Sequence, residues 1–212
     1  QLFSIVPNNR EQYEGYSVFQ EYLLRRIREQ GIPTETGPGG AYKVYVDKVS
    51  IIGLQCVDNN RKFIFPGGEQ LEWLCRNLNQ NDEWHIILCH APLLEHNPQR
   101  NEGAPYLGRN DELQKIIDSH RKIIFVSGHT HVSPNNAGGC VESIYEKQLV
   151  YINDGSVTPT ELKGEILMPA EWKDGVRMEL ALWDDQVEIK TKSIHTGICY
   201  PRGYYRLCFG EK

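Results

Sequence analysis

No apolar stretch in this 212-residue chain approaches the about 20 residues that a membrane-spanning helix needs. No Cys-x-x-Cys pair occurs among its six cysteines, which excludes a zinc ribbon. There is no basic stripe. The net charge is -5 with no long run of one sign, so nothing in the charge pattern marks a nucleic-acid binder. A nucleotide substrate stays compatible with that charge, because metals neutralise phosphate locally. Internal repeats, low-complexity segments and linkers are absent. The opening QLFSIVPNNREQ has no basic region followed by a long apolar one, so it does not read as a signal peptide. It starts on Gln1 and turns apolar at once, which reads as a trimmed or truncated chain.

What is present is a soluble globular balance in a length that suits one domain, here taken as residues 1–212. Cys56 and Cys89 end apolar runs, and Cys75 lies in an amphipathic stretch. Those settings favour reduced thiols of a cytoplasmic protein over disulfides.

Periodicity divides the chain into elements. Helical spacing marks residues 16–30, ended by Gly31, and residues 70–78 and 111–120, with Asn110 or Asp111 as the cap of the last. Strand patterns mark residues 2–6, 42–46 and 49–56, the latter two joined at Asp47-Lys48 as a hairpin. HIILC at His85–Cys89 and KIIFV at Lys122–Val126 are near-continuous apolar runs, as strands buried on both faces are. Further strands are expected at 148–152, 177–183, 187–193 and 204–209, with Asp184-Asp185 as a hairpin turn. Residues 34–40, 57–68 and 90–109 read as loops. The order is mixed α/β first and largely antiparallel β afterwards. It predicts an α/β (α+β layered) fold of mixed β-sheets flanked by helices.

Chemistry gathers where two buried strands end. HIILC is followed by His90, and KIIFVSG by His129 and His131. Sites in layered α/β folds lie beyond the carboxyl ends of strands. Gly128 permits a turn that aims His129 and His131 into one pocket. Neutral imidazole suits zinc, iron, manganese or nickel. Taken singly, His90 is as well explained as a hydrogen-bonded residue of surface or core; the signal is the conjunction.

Two strings, ILCHAP at Ile87–Pro92 and SGHTH at Ser127–His131, resemble the motifs of calcineurin-like metallophosphoesterases. GEQLEWLCRNL upstream and YINDGS at Tyr151–Ser156 resemble their usual surroundings. The resemblance implies part of a four-layer β-sandwich. His90 and His129 would share one metal, and His131 would serve a second. Ser4–Glu11 sits like the strand leading into the family's Gly-Asn-His-Asp/Glu motif. Asn9 then falls on the metal-binding asparagine, and Arg10 replaces a histidine thought to assist the leaving group. Arginine cannot act as a general acid, but it can hold a phosphate oxygen; the plain alternative for Pro7-Asn8-Asn9 is a turn. The family's Asp-x-His and Gly-Asp-x-x-Asp motifs do not precede Asn9, nor does a displaced copy follow. The chain thus looks like the C-terminal part of the domain.

The resemblance implies hydrolysis of phosphate mono- or diesters by a metal-activated hydroxide, incomplete in this chain. Manganese, iron or zinc would serve, up to two in a complete domain and one or none here, since neutral ligands do not offset the repulsion of two cations. No residue is assigned as general acid or base. The alternatives are a non-catalytic scaffold of the same fold and a mononuclear zinc hydrolase. His96 is either a substrate contact at the pocket rim or a solvated loop residue. Tyr106 either stacks on substrate or packs, and Asp154 either supports a ligand histidine or makes a turn. The expected partner is a phosphate-ester substrate, without membrane or nucleic acid. Exposed strand edges predict self-association.

Overall fold

The structure is a computed structural model. It describes residues 5–6, 10–59, 62–64, 68–78, 83–90, 92–93, 95–97, 110–128, 140–154 and 176–210. Its frame is a seven-stranded sheet. Four central strands run parallel: β4 (Val49–Gly53), β7 (Trp84–Cys89), β8 (Ile123–Ser127) and β10 (Leu149–Asn153). Antiparallel strands β2 (Thr34–Thr36) and β3 (Tyr42–Val46) extend it on one side, and β9 (Val141–Ile144) closes the other. The mixed α/β sheet expected from the sequence is therefore present.

The apolar runs follow from burial on both faces. Helices α2 (Glu69–Leu78) and α3 (Asp111–Asp118) cover one face. There Leu71, Leu74, Leu113 and Ile117 pack on Ile52, Ile87, Phe125 and Tyr151. A three-stranded antiparallel sheet covers the other, made of β11 (Val176–Leu182), β12 (Gln186–Ser193) and β13 (Cys199–Cys208). Val187, Ile189 and Leu207 meet Ile124, Val150 and Ile152 between the sheets. Full burial of each such side chain contributes about 1.5–3 kcal/mol. Helix α1 (Arg10–Glu29) packs Leu24 against Tyr42 and Val44.

Several elements differ from the sequence expectation. Helix α1 starts at Arg10 rather than near residue 16. The 34–40 loop contains β2 and a 3-10 turn at Pro38–Gly40. The 57–68 loop contains two short strands, β5 (Cys56–Asn59) and β6 (Lys62–Ile64), and these join β1 (Ile5–Val6) in a small sheet. Strand β13 begins at Cys199, five residues before the expected start at Tyr204. Asn110 is the N-cap residue of α3, yet its side chain makes no cap bond; its amide donates to the Pro92 carbonyl at 3.0 Å instead. Among the described residues Cys75, Cys89, Cys140, Cys199 and Cys208 form no disulfide. No helix among the described residues is long and apolar enough to cross a membrane.

Candidate metal centre

Parallel pairing brings the carboxyl ends of the central strands to one edge of the sheet. The ladder continues past the formal strand ends. Leu54 N–H donates to Leu88 O at 2.9 Å, Gly128 N–H to His90 O at 3.2 Å, and Asp154 N–H to Ser127 O at 2.8 Å. The two predicted motifs therefore meet through the backbone: the residue before His129 is bonded to His90.

Alternation then decides which way His90 points. Along β7, Trp84 and Ile86 join the core between the sheets, whereas Ile87 and Cys89 join the core under the helices. Continuing the period of two puts His90 on the inter-sheet side. It is 8% exposed, at the rim of the core. The same parity on β8 and β10 assigns Gly128 and Asp154 to that side. Asp154 is half-buried and two strands away from β7, roughly 10 Å at the usual strand spacing. Its amide extends the β8–β10 ladder beside Ser127.

The other predicted ligands cannot be located beside it. Asn9, His129 and His131 lie outside the described residues, as does Tyr106, and of Arg10 only the backbone is described, as the first residue of α1. The small sheet of β1, β5 and β6 joins the same edge, since β5 begins two residues beyond Leu54 and β1 pairs with it in parallel, Ile5 opposite Cys56. Among the described residues no three His, Cys, Asp or Glu side chains stand close enough to hold a metal. The described protein thus contributes one imidazole at the edge. With two further imidazoles and an amide oxygen carried by the sequence, the donor chemistry fits a divalent transition metal.

His96 is neither solvated nor at a rim. It is 7% exposed, its ring stacked on Tyr151 with centroids 3.6 Å apart and an interplanar angle of 5°. Nδ1 lies 2.9 Å from Glu142 Oε1, and Nε2 lies 3.3 Å from Asp118 Oδ1. Those partners sit on β9 and α3, 46 residues from His96 in the case of Glu142, so no local pattern announces them. The role read for His96 as a substrate contact is therefore replaced by a structural one.

Sequence reasoning assigned no role to His85. It is buried on the helix side of β7, with Nδ1 2.6 Å from the Ser50 hydroxyl. Burial, reinforced by the charges of Lys43 and His120, pushes its pKa down to about 4. It is a neutral core residue on the face opposite to the one His90's parity selects. A cleft of ≈ 840 Å³ is also remote from the edge: Val49, Trp84 and Lys122 line it at the amino ends of the strands, with Leu180, Leu182 and Trp183 opposite.

The comparisons bear on this edge. No curated protein matches the chain. A crystal structure of a Vps29 single mutant from Entamoeba histolytica is similar at 14% identity, covering 66% of this chain and 89% of that one, with a TM-score of 0.30. The model of the calcineurin-like phosphoesterase family matches residues 9–133. That match takes in more than half of the chain, from the Asn9 position through His90 at its strand end to the Gly-His-Thr-His run, and so this protein belongs to the calcineurin-like phosphoesterase family.

Proposed function

We propose that this chain carries the histidine side of a divalent-metal site for hydrolysing phosphate mono- or diesters. The observation that carries the reading is the hydrogen bond from Gly128 N–H to His90 O, which joins the two histidine-bearing strand ends at one sheet edge. His90, His129, His131 and Asn9 would hold manganese, iron or zinc. When bound, such cations supply Lewis-acid charge and a nucleophile at neutral pH. Arg10 would hold a non-bridging phosphate oxygen; its position at the first residue of α1 puts it where helix amides also favour anions.

A second reading is a non-catalytic scaffold of the same fold. It is favoured by Arg10, a residue that cannot donate a proton to a leaving group at working pH. Cysteines that end or line apolar strands and helices, as Cys89 and Cys75 do, would suit a cytoplasmic setting. Among the described residues β11 is the outermost strand of its sheet, and such an edge would favour self-association.

The test separates these readings. Alanine at His129 and His131 together is expected to abolish metal-dependent turnover of p-nitrophenyl phosphate and its bis-ester in the intact protein. Unchanged turnover sinks the ligand assignment. Metal uptake without turnover of either ester in the unmodified protein favours the scaffold.

A further inference from the structure

We infer that His96, held between Glu142 and Asp118, is a positioning residue that fixes the chain leaving His90 and so pre-sets that imidazole for metal; this rests on the reading of His90 as a ligand. The chain after β7 is pinned repeatedly within a few residues. Pro92 O accepts from the Asn110 amide at 3.0 Å. Leu93 is 1% exposed in the core under the helices. His96 N–H donates to Leu93 O at 3.2 Å, closing a turn. The His96 ring then lies flat on Tyr151, with a carboxylate at each nitrogen.

Its neighbour tightens the same hold. Asn97 N–H donates to Glu142 Oε2 at 2.7 Å, and its amide donates to Tyr151 O at 3.2 Å. Asn97 has φ 51, a left-handed conformation that asparagine tolerates better than most residues. Glu142 thus grips a side chain with one oxygen and the following backbone with the other. Asp118 in turn accepts from the Tyr151 hydroxyl at 2.5 Å. Burial and the Asp118 carboxylate raise the Tyr151 pKa far above its ordinary value, so the phenol stays a donor. The imidazole thus lies between two carboxylates, Glu142 beside Nδ1 and Asp118 beside Nε2.

The consequence for His90 is geometric. Ligands must be held to within about 0.5 Å by a supporting shell, and loss of such support typically costs 10–100-fold in metal affinity. His90 sits six residues before His96, with its own carbonyl fixed by Gly128. One side of the histidine is anchored by the sheet and the other by the His96 clamp. Neither Glu142 nor Asp118 is part of the proposed donor set.

Cobalt(II) binding to the intact chain, read by titration and by its visible d–d spectrum, tests this with His90→Ala, His96→Phe and Glu142→Gln. His96→Phe keeps a flat ring on Tyr151 but removes both carboxylate contacts. It is expected to weaken cobalt about tenfold or more and to change the d–d bands, with the far-ultraviolet circular dichroism of the folded chain retained. Glu142→Gln, a milder change, is expected to weaken cobalt a few-fold, and it decides the matter by the same readout if His96→Phe does not fold. Wild-type affinity and spectrum in the folded clamp variant overturn the inference while leaving His90 as a ligand. Equal binding by wild type and His90→Ala, or none by either, overturns the reading of the site itself.

Discussion

His85 and His90 show how two histidines on one apolar run part company. His85 lies within the strand that HIILC announces and His90 follows it, and the sequence distinguishes them only by position. The period of two sends His85 under the helices and His90 between the sheets. His85 also gives the molecule a titratable weakness. Its folded pKa is lowered from 6.5 to about 4, so between those values the unfolded chain binds a proton that the folded one refuses. Stability contributed by neutral burial is therefore complete above the unfolded value and falls as pH drops toward 4, by up to about 3 kcal/mol. Urea midpoints measured across that window are expected to decline, and His85→Asn, which keeps a polar partner for Ser50, is expected to flatten that decline. A midpoint equally pH-dependent in both proteins would mean that other groups carry the effect. His96 was not legible in the same way, because its partners, Asp118 and Glu142, come together only through the tertiary fold.

Among the elements, those buried on both faces were the legible ones. The runs ending at Cys89, Val126 and Ile152 have few polar residues because neither face meets water. Strands β2, β6 and β9 are short, and their existence rests on backbone pairing to a neighbour rather than on composition of their own. The first turns of α1, REQYEG, lack an apolar stripe, so its start at Arg10 was invisible. Strand β13 holds Pro201 and Gly203, which weaken a strand pattern, and its pairing with β12 shifts register between Lys190 and Lys192. Gly53 is a further case where pairing, not propensity, sets the residue. It lies opposite Tyr42, and a Cβ there would fall 2.2 Å from the Tyr42 ring. Gly53→Ala must displace that ring from the core under α1, at a cost of about 1–3 kcal/mol. Chemical denaturation checks this, and the loss is expected to shrink when Tyr42→Ala is added, because the two positions share one contact.

At the scale of the whole molecule, two sheets and a helical layer put the carboxyl ends of the parallel strands at one end and an apolar cleft at the other. The motif spacing marked the first end, within the residues 9–133 that the family model matches. The second end was legible only as a general expectation about strand edges. Strand β11 is the outermost strand of its sheet among the described residues, and its inward residues Met178, Leu180 and Leu182 are only partly buried. Leu180 and Leu182 line the ≈ 840 Å³ cleft beside Trp183, which is 50% exposed. An open edge over an apolar seam favours pairing with another strand, and a second copy presents the same edge, as a two-fold contact requires. The outward residues Arg177 and Glu179 carry opposite charges, so an antiparallel pair of β11 edges centred on Met178 would set each against its complement. Sedimentation at micromolar concentration is expected to give a concentration-dependent dimer. Arg177→Glu alone sets like charges across that edge and is expected to weaken the dimer, whereas Arg177→Glu with Glu179→Arg restores the pairing. A clean monomer at every concentration would refute self-association, and a dimer indifferent to both substitutions would move the interface away from β11.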